Sequence, residues 1–157
     1  MIQLASLLLL AFAACTTAGT PASGDDGGGS LAPGDTVRVR LEARQVGPSG
    51  PETPGPAAPE GVSARGEAGR IVVAGRMETP DPCRRLAGTA ERSGSEVTLR
   101  VEARREGEAC IQVIAAFAYD AEVAGLPPGT YRLRVVHAYP GTGWETQTAL
   151  EETVQVR

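Results

Sequence analysis

Two stretches of this chain alternate apolar and polar residues without a break. In TVRVRLEAR, Thr36 to Arg44, the side chains of Val37, Val39, Leu41 and Ala43 leave on one face and Arg38, Arg40, Glu42 and Arg44 on the other. In EVTLRVEAR, Glu96 to Arg104, the apolar side is Val97, Leu99, Val101 and Ala103. Successive side chains of an extended chain point to opposite faces, so this period predicts half-buried strands. Less regular strands are predicted over RIVVAGRM (Arg70 to Met77, with Gly75 as a bulge), Arg84 to Glu91, and Leu150 to Val156. Two longer apolar runs, Cys110 to Val123 and the stretch from Leu126 to Tyr139, read as strands too, the first as a central one. Turn signals separate them: TPDPC at Thr79 to Cys83, Ser93-Gly94-Ser95, Arg105 to Glu108, the Pro-Gly start of the Leu126 run, and PGTG at Pro140 to Gly143. Gln45 to Gly69 is so dense in Pro and Gly that it reads as one long loop. No stretch carries a helical period. About seven short strands with frequent turns predict an all-β fold, a single β-sandwich.

The start of the chain follows a different pattern. Ile2 to Ala14 is almost wholly apolar, too short for a membrane-spanning helix, which takes about 20 residues, but suited to a secretory signal. Small residues Ala11, Ala13 and Ala14 then lead to Cys15. Phe12-Ala13-Ala14-Cys15 resembles the lipobox of bacterial lipoprotein precursors, though Phe12 stands where that family prefers Leu and MIQLAS lacks its usual Lys or Arg. The resemblance implies removal of residues 1–14 and attachment of acyl chains, palmitate among them, at Cys15. Two or more such chains anchor stably where one does not. It also implies a place at the bacterial cell envelope, on the periplasmic or extracellular side, and at the outer membrane in a Gram-negative cell, because Thr16 is not the Asp that favours inner-membrane retention. The tract TTAGTPASGDDGGGS has little to bury and reads as a flexible tether. The expected organisation is a signal peptide at 1–14, a lipidated cysteine and linker at 15–33, and a β-sandwich at 34–157 with its Pro/Gly-rich loop at 45–69.

Composition changes the picture in four ways. Aromatics make up 4% of the chain, so the core rests on Val, Leu, Ile and Ala. The net charge of −4 leaves no electrostatic footprint for nucleic acid. All 15 basic residues are Arg, and neither Lys nor Asn occurs, which excludes a lysine Schiff base, a Ser-Lys dyad and an N-glycosylation sequon. The 3 cysteines are an odd number, and lipidation of Cys15 would leave Cys83 and Cys110 to pair. Outside the cytoplasm such a bond persists. It would close a loop of about 28 residues and stabilise the fold by about 3 kcal/mol.

Catalytic chemistry has little support. His137, the single histidine, lies within or at the end of a strand. Ser93 and Ser95 sit on a hairpin turn, and no serine lies in a nucleophile elbow. Glu96, Glu102 and Glu106 fall where a solvated face or turn would put them. Cys83 and Cys110 with one His do not make a zinc site, and they are not in a redox C-x-x-C spacing. Asp25-Asp26 falls in the tether without a calcium loop. Neither catalytic residues, metal nor cofactor is expected. Tyr139 and Trp144 flank PGTG, and loop aromatics suit recognition of glycans and protein partners. Arg38, Arg40, Arg132 and Arg134 are candidates for a basic outer face.

LPPGTY, Leu126 to Tyr131, resembles the corner segment of fibronectin type III and related immunoglobulin-like domains, with one residue fewer before the Tyr. That resemblance implies an immunoglobulin-like sandwich in which the Tyr131 hydroxyl ties a corner by bonding to backbone. The expected function is a lipid-anchored, non-catalytic binding or accessory module at the envelope, held to the membrane through Cys15, with an envelope protein or glycan as partner. Two other readings stay open: a structural or envelope-assembly component without a small ligand, and an enzyme or enzyme inhibitor acting through carboxylates assembled by the fold.

Overall fold

The structure, a computed structural model, describes residues 37–47 and 61–157. The expected signal peptide, Cys15, the linker and the start of the domain at residue 34 lie outside the described residues. Eight strands are formed: β1 (Arg38–Val46), β2 (Ser63–Glu67), β3 (Arg70–Thr79), β4 (Arg84–Ser93), β5 (Glu96–Arg105), β6 (Ala115–Ala124), β7 (Gly129–Ala138) and β8 (Gln147–Val156). They make two four-stranded sheets, one in the order β1-β6-β3-β2 and one in the order β4-β5-β7-β8. All pairings are antiparallel except β5 with β7. The fold is an all-β sandwich.

The alternating patterns place the core. Val97, Leu99, Val101 and Ala103 of β5 are buried, facing Ile71, Val73 and Met77 of β3 and Phe117, Tyr119, Ala121 and Val123 of β6 across the sandwich. Leu133 and Val135 of β7 and Val154 and Val156 of β8 complete it. On β5 and on the first half of β7 these side chains alternate with polar, more exposed neighbours, whereas Phe117 and Tyr119 of β6 are flanked by the buried Ala116 and Ala118.

Four expectations need correction. Gln45 to Gly69 is not one loop: Gln45 and Val46 still belong to β1, and Ser63–Glu67 is strand β2, paired with β3. Its residues, SARGE, have poor strand propensity, so pairing and packing carry it. Gly66 is needed there, because a Cβ would stand 1.9 Å from the backbone oxygen of Gln155 on β8. Gly75 is not a bulge. The β3–β6 register runs unbroken from Arg70 to Thr79, and the shift in the structure falls between Val135 and Val136. Gly75 instead makes room for the Tyr119 ring, whose Cζ lies 2.3 Å from where a Cβ would be. The strand expected from Cys110 begins only at Ala115. Finally, Arg38 and Arg40 lie on β1 in one sheet and Arg132 and Arg134 on β7 in the other, so they do not share a face.

The registers fix the two ends of the sandwich. Arg38 at the start of β1 pairs with Ala124 at the end of β6, and Val156 at the end of β8 pairs with Gly129 at the start of β7. Backbone bonds from Gly69 N to Arg157 O and from Arg157 N to Glu67 O join the same end. The opposite end, here the tip, carries the β3–β4, β5–β6 and β7–β8 connections. Thr79 pairs with Ala115 there, Arg84 with Arg105, and Ala138 lies beside Glu102.

Candidate functional site

Among the described residues the tip is built from three connections tied to one another. At the β3–β4 turn, Arg84 at the start of β4 grips Asp81 through Nε (2.9 Å) and Nη2 (2.6 Å) to the same carboxylate oxygen, Oδ2. The other carboxylate oxygen accepts the Cys83 amide, and the Thr79 hydroxyl donates to the Asp81 carbonyl. Both side chains of the ion pair are buried. The Arg84 guanidinium holds the Asp81 carboxyl below the usual carboxylate range. The second tie is the Cys83–Cys110 disulfide, with Cα atoms 5.9 Å apart, which joins this turn to the β5–β6 segment. Glu106 N donates to Cys83 O beside it. The third is a longer contact, 3.5 Å, from Arg84 Nη1 to the carbonyl of Pro140 in the β7–β8 loop.

That last loop is ordered by its own bonds. The Thr142 amide and hydroxyl both donate to the Tyr139 carbonyl, and the Trp144 amide donates to the Thr142 hydroxyl. Tyr139 is buried. Its hydroxyl accepts from Gln147 Nε2 at 2.8 Å, and burial pushes its pKa up. Trp144 lies edge-on to the Tyr139 ring, centroids 5.3 Å apart, and keeps 37% of its surface exposed. Of the two aromatics singled out in the sequence, Tyr139 is therefore the support and Trp144 the accessible surface.

Sequence reasoning missed the other half of this surface. Ile111, Val113 and Ile114 are 67%, 50% and 68% exposed, and with Trp144 they are the exposed large hydrophobics among the described residues. All four belong to tip connections. Isolated exposed apolar residues need no explanation; here the four large ones all fall on connections at one end of the sandwich. The available signal was in the pattern: CIQVI lacks the alternation of the true strands. The carboxylates Glu108 and Glu145 lie close to these residues in sequence, and both are exposed.

The remaining sequence candidates lie elsewhere. Tyr131 is at the opposite end, its ring buried and its hydroxyl donating to the Pro127 carbonyl at 2.8 Å. His137 is buried between the sheets, its Nε2 2.9 Å from the Tyr119 hydroxyl. Desolvation lowers the imidazole pKa to about 4 and raises that of the Tyr119 hydroxyl. Ser93 and Ser95 belong to the β4–β5 turn at the far end of the sandwich, so no Ser-His arrangement forms among the described residues. The displaced carboxylates Glu67, Asp81 and Glu102 are all displaced downward by bonded arginines, which holds them ionised and accepting. A general acid requires the reverse shift. Asp81, Cys83 and Cys110 bring their ligand atoms within 4.8 Å of one another. The two sulfurs are bonded to each other and the carboxylate is clamped by Arg84, so the group is a staple rather than a vacant cation site.

Comparison with known proteins agrees with the architecture. Residues 72–149 match the ORF11 beta-sandwich domain family, a span that runs from β3 into β8 and includes the three connections described above, the disulfide and the Tyr131 corner. No curated protein and no solved structure matches the chain.

Proposed function

We propose that this protein is a lipid-anchored, non-catalytic binding or accessory module at the bacterial cell envelope, and that the tip is its recognition surface. The observation that carries the reading is the gathering of Ile111, Val113, Ile114 and Trp144 at the end of the sandwich away from Arg38, where the chain enters β1. The sequence up to Cys15 supplies the anchor, and the tract after it supplies reach. The cross-tied loops support recognition over catalysis. They hold Trp144 and the isoleucines on a braced platform, which reduces the ordering cost of binding.

The test is a mild crosslinking capture using the native, membrane-inserted protein tagged after Arg157, with Trp144→Ala as control bait. A partner lost with the control supports recognition through the tip. A partner retained by both baits favours an assembly role through another face and overturns the assignment of the surface. The anchor is tested separately by intact mass of the membrane-extracted protein. Loss of residues 1–14 with added acyl mass is expected, and an unmodified Cys15 removes the lipid from the reading.

A further inference from the structure

A second surface runs along the side of the sandwich. Among the described residues β1 and β4 are edge strands of different sheets, each paired with one neighbouring strand. Near the middle the seam between them is closed, with Val39 and Leu41 lying over Gly88 so tightly that a Cβ there would stand 2.9 Å from Val39 Cγ1. Further along, Ala43 and Gln45 continue the same inward-facing side of β1, opposite Tyr119 and Phe117 of β6, yet both are exposed. The seam opens there into a groove of about 410 Å³ lined by Leu41, Leu86, Ala87, Gly88, Arg85 and Arg104.

The groove combines three chemistries. Its floor is apolar, from Leu41 and Leu86. Its walls are the outer edges of β1 and β4, each paired with one neighbouring strand among the described residues, and a strand edge is the feature that recruits an added strand. Its outer rim is basic. Arg85 and Arg104 stand directly opposite one another in the β4–β5 register, where like charges repel. Arg104 bonds Glu102 at 2.8 Å, but Arg100 shares that carboxylate, and Arg85 reaches only Glu106, at 3.9 Å between exposed side chains. Three guanidiniums thus share two carboxylates.

We propose that this seam binds an extended peptide segment that alternates apolar and acidic residues, added as a strand along the free edge of β4. An incoming strand sends alternate side chains to opposite faces. Apolar residues then meet Leu41 and Leu86, and acidic ones emerge beside Arg85 and Arg104, where guanidinium and carboxylate pair through parallel hydrogen bonds. The surface is distinct from the tip, and its test uses different residues, so either assignment can fail alone.

The full chain is titrated into a fluorescein-labelled octapeptide of alternating Val and Glu, followed by anisotropy. An alternating Val-Arg octapeptide and an all-Glu octapeptide serve as comparisons. Saturable binding of the Val-Glu peptide is expected, about tenfold or more tighter than either comparison, since each loses the charge pairs or the floor contacts. The double variant Arg85→Gln/Arg104→Gln should weaken it about tenfold or more without lowering the melting temperature, because both side chains are largely exposed. Amide exchange should slow along β4 when peptide is added. No saturable binding, equal binding of the all-Glu peptide, full binding by the double variant, or protection confined to other strands would each overturn the proposal.

Discussion

His137 makes the stability of this domain sensitive to mild acid, and the size of the effect follows from its surroundings. The imidazole is buried between the sheets beside Tyr119, and desolvation lowers its pKa from 6.5 to about 4. In the unfolded chain the same group titrates near its ordinary value. Between those two values the unfolded state holds a proton that the folded state refuses. Stability therefore rises with pH across that window and falls on acidification. The contribution is complete above about pH 6.5, is lost progressively toward pH 4, and amounts to about 3 kcal/mol in all, of which about 2 kcal/mol has gone by pH 5. The assay is urea unfolding followed by circular dichroism at pH 7, 6 and 5, with His137→Gln as the non-titrating comparison. The wild type should lose about 2 kcal/mol between pH 7 and 5 while the variant stays nearly level. As the single histidine in the chain, His137 can also be followed by proton NMR without assignment. Equal stability at pH 7 and 5, the same slope in the variant, or an imidazole midpoint near 6.5 would refute the reasoning.

Three further outcomes are expected. Tyr131→Phe keeps the buried ring but removes the bond to the Pro127 carbonyl; unfolding free energy should fall by about 1 kcal/mol, and an unchanged denaturation midpoint would mean that the corner bond is idle. Reducing Cys83–Cys110 releases a loop with a sequence separation of 27 residues; a stability loss of about 3 kcal/mol is expected, checked by melting with and without reductant. Asp81→Asn takes the counter-charge from the buried Arg84 and weakens the brace under the Pro140 loop. Its melting temperature should fall further than that of Tyr131→Phe, and Trp144 fluorescence should shift as the loop loosens.

The fold class could be read from the chain because β1 and β5 alternate so strictly that one period decides their faces. Where the pattern was mixed, it misled. β2 has neither branched nor aromatic residues, and it exists because Gly66 can lie against the backbone of β8, a long-range fact invisible in SARGE. Gly75 drew attention as a strand glycine, but its reason is a tyrosine 44 positions later in sequence, across the β3–β6 register. CIQVI has the composition of a core strand and ends up outside, because β1 and β3 give β6 no partners before Ala115. At the tip, the two aromatics were legible as a pair flanking a turn, but not which of them would be buried. The Asp81–Arg84 clamp was hidden because a charged pair three residues apart reads as surface until the turn folds it inward.

The pairing of β1 with β6 sets the order in which this domain can be assembled. Arg38 meets Ala124 and Val46 meets Ala116, so no rung of that ladder joins residues close in sequence. β1 must wait for β6, from which it is distant in sequence, whereas the β2–β3 and β4–β5 hairpins close locally. Bringing such distant residues together costs entropy before any contact repays it, and sandwiches with this topology fold in roughly milliseconds to seconds. During that interval the apolar side of β6 lacks one of its two neighbours, and Cys110, a few residues upstream, can already find Cys83. The staple is thus available to hold the later strands together while the first strand is still free.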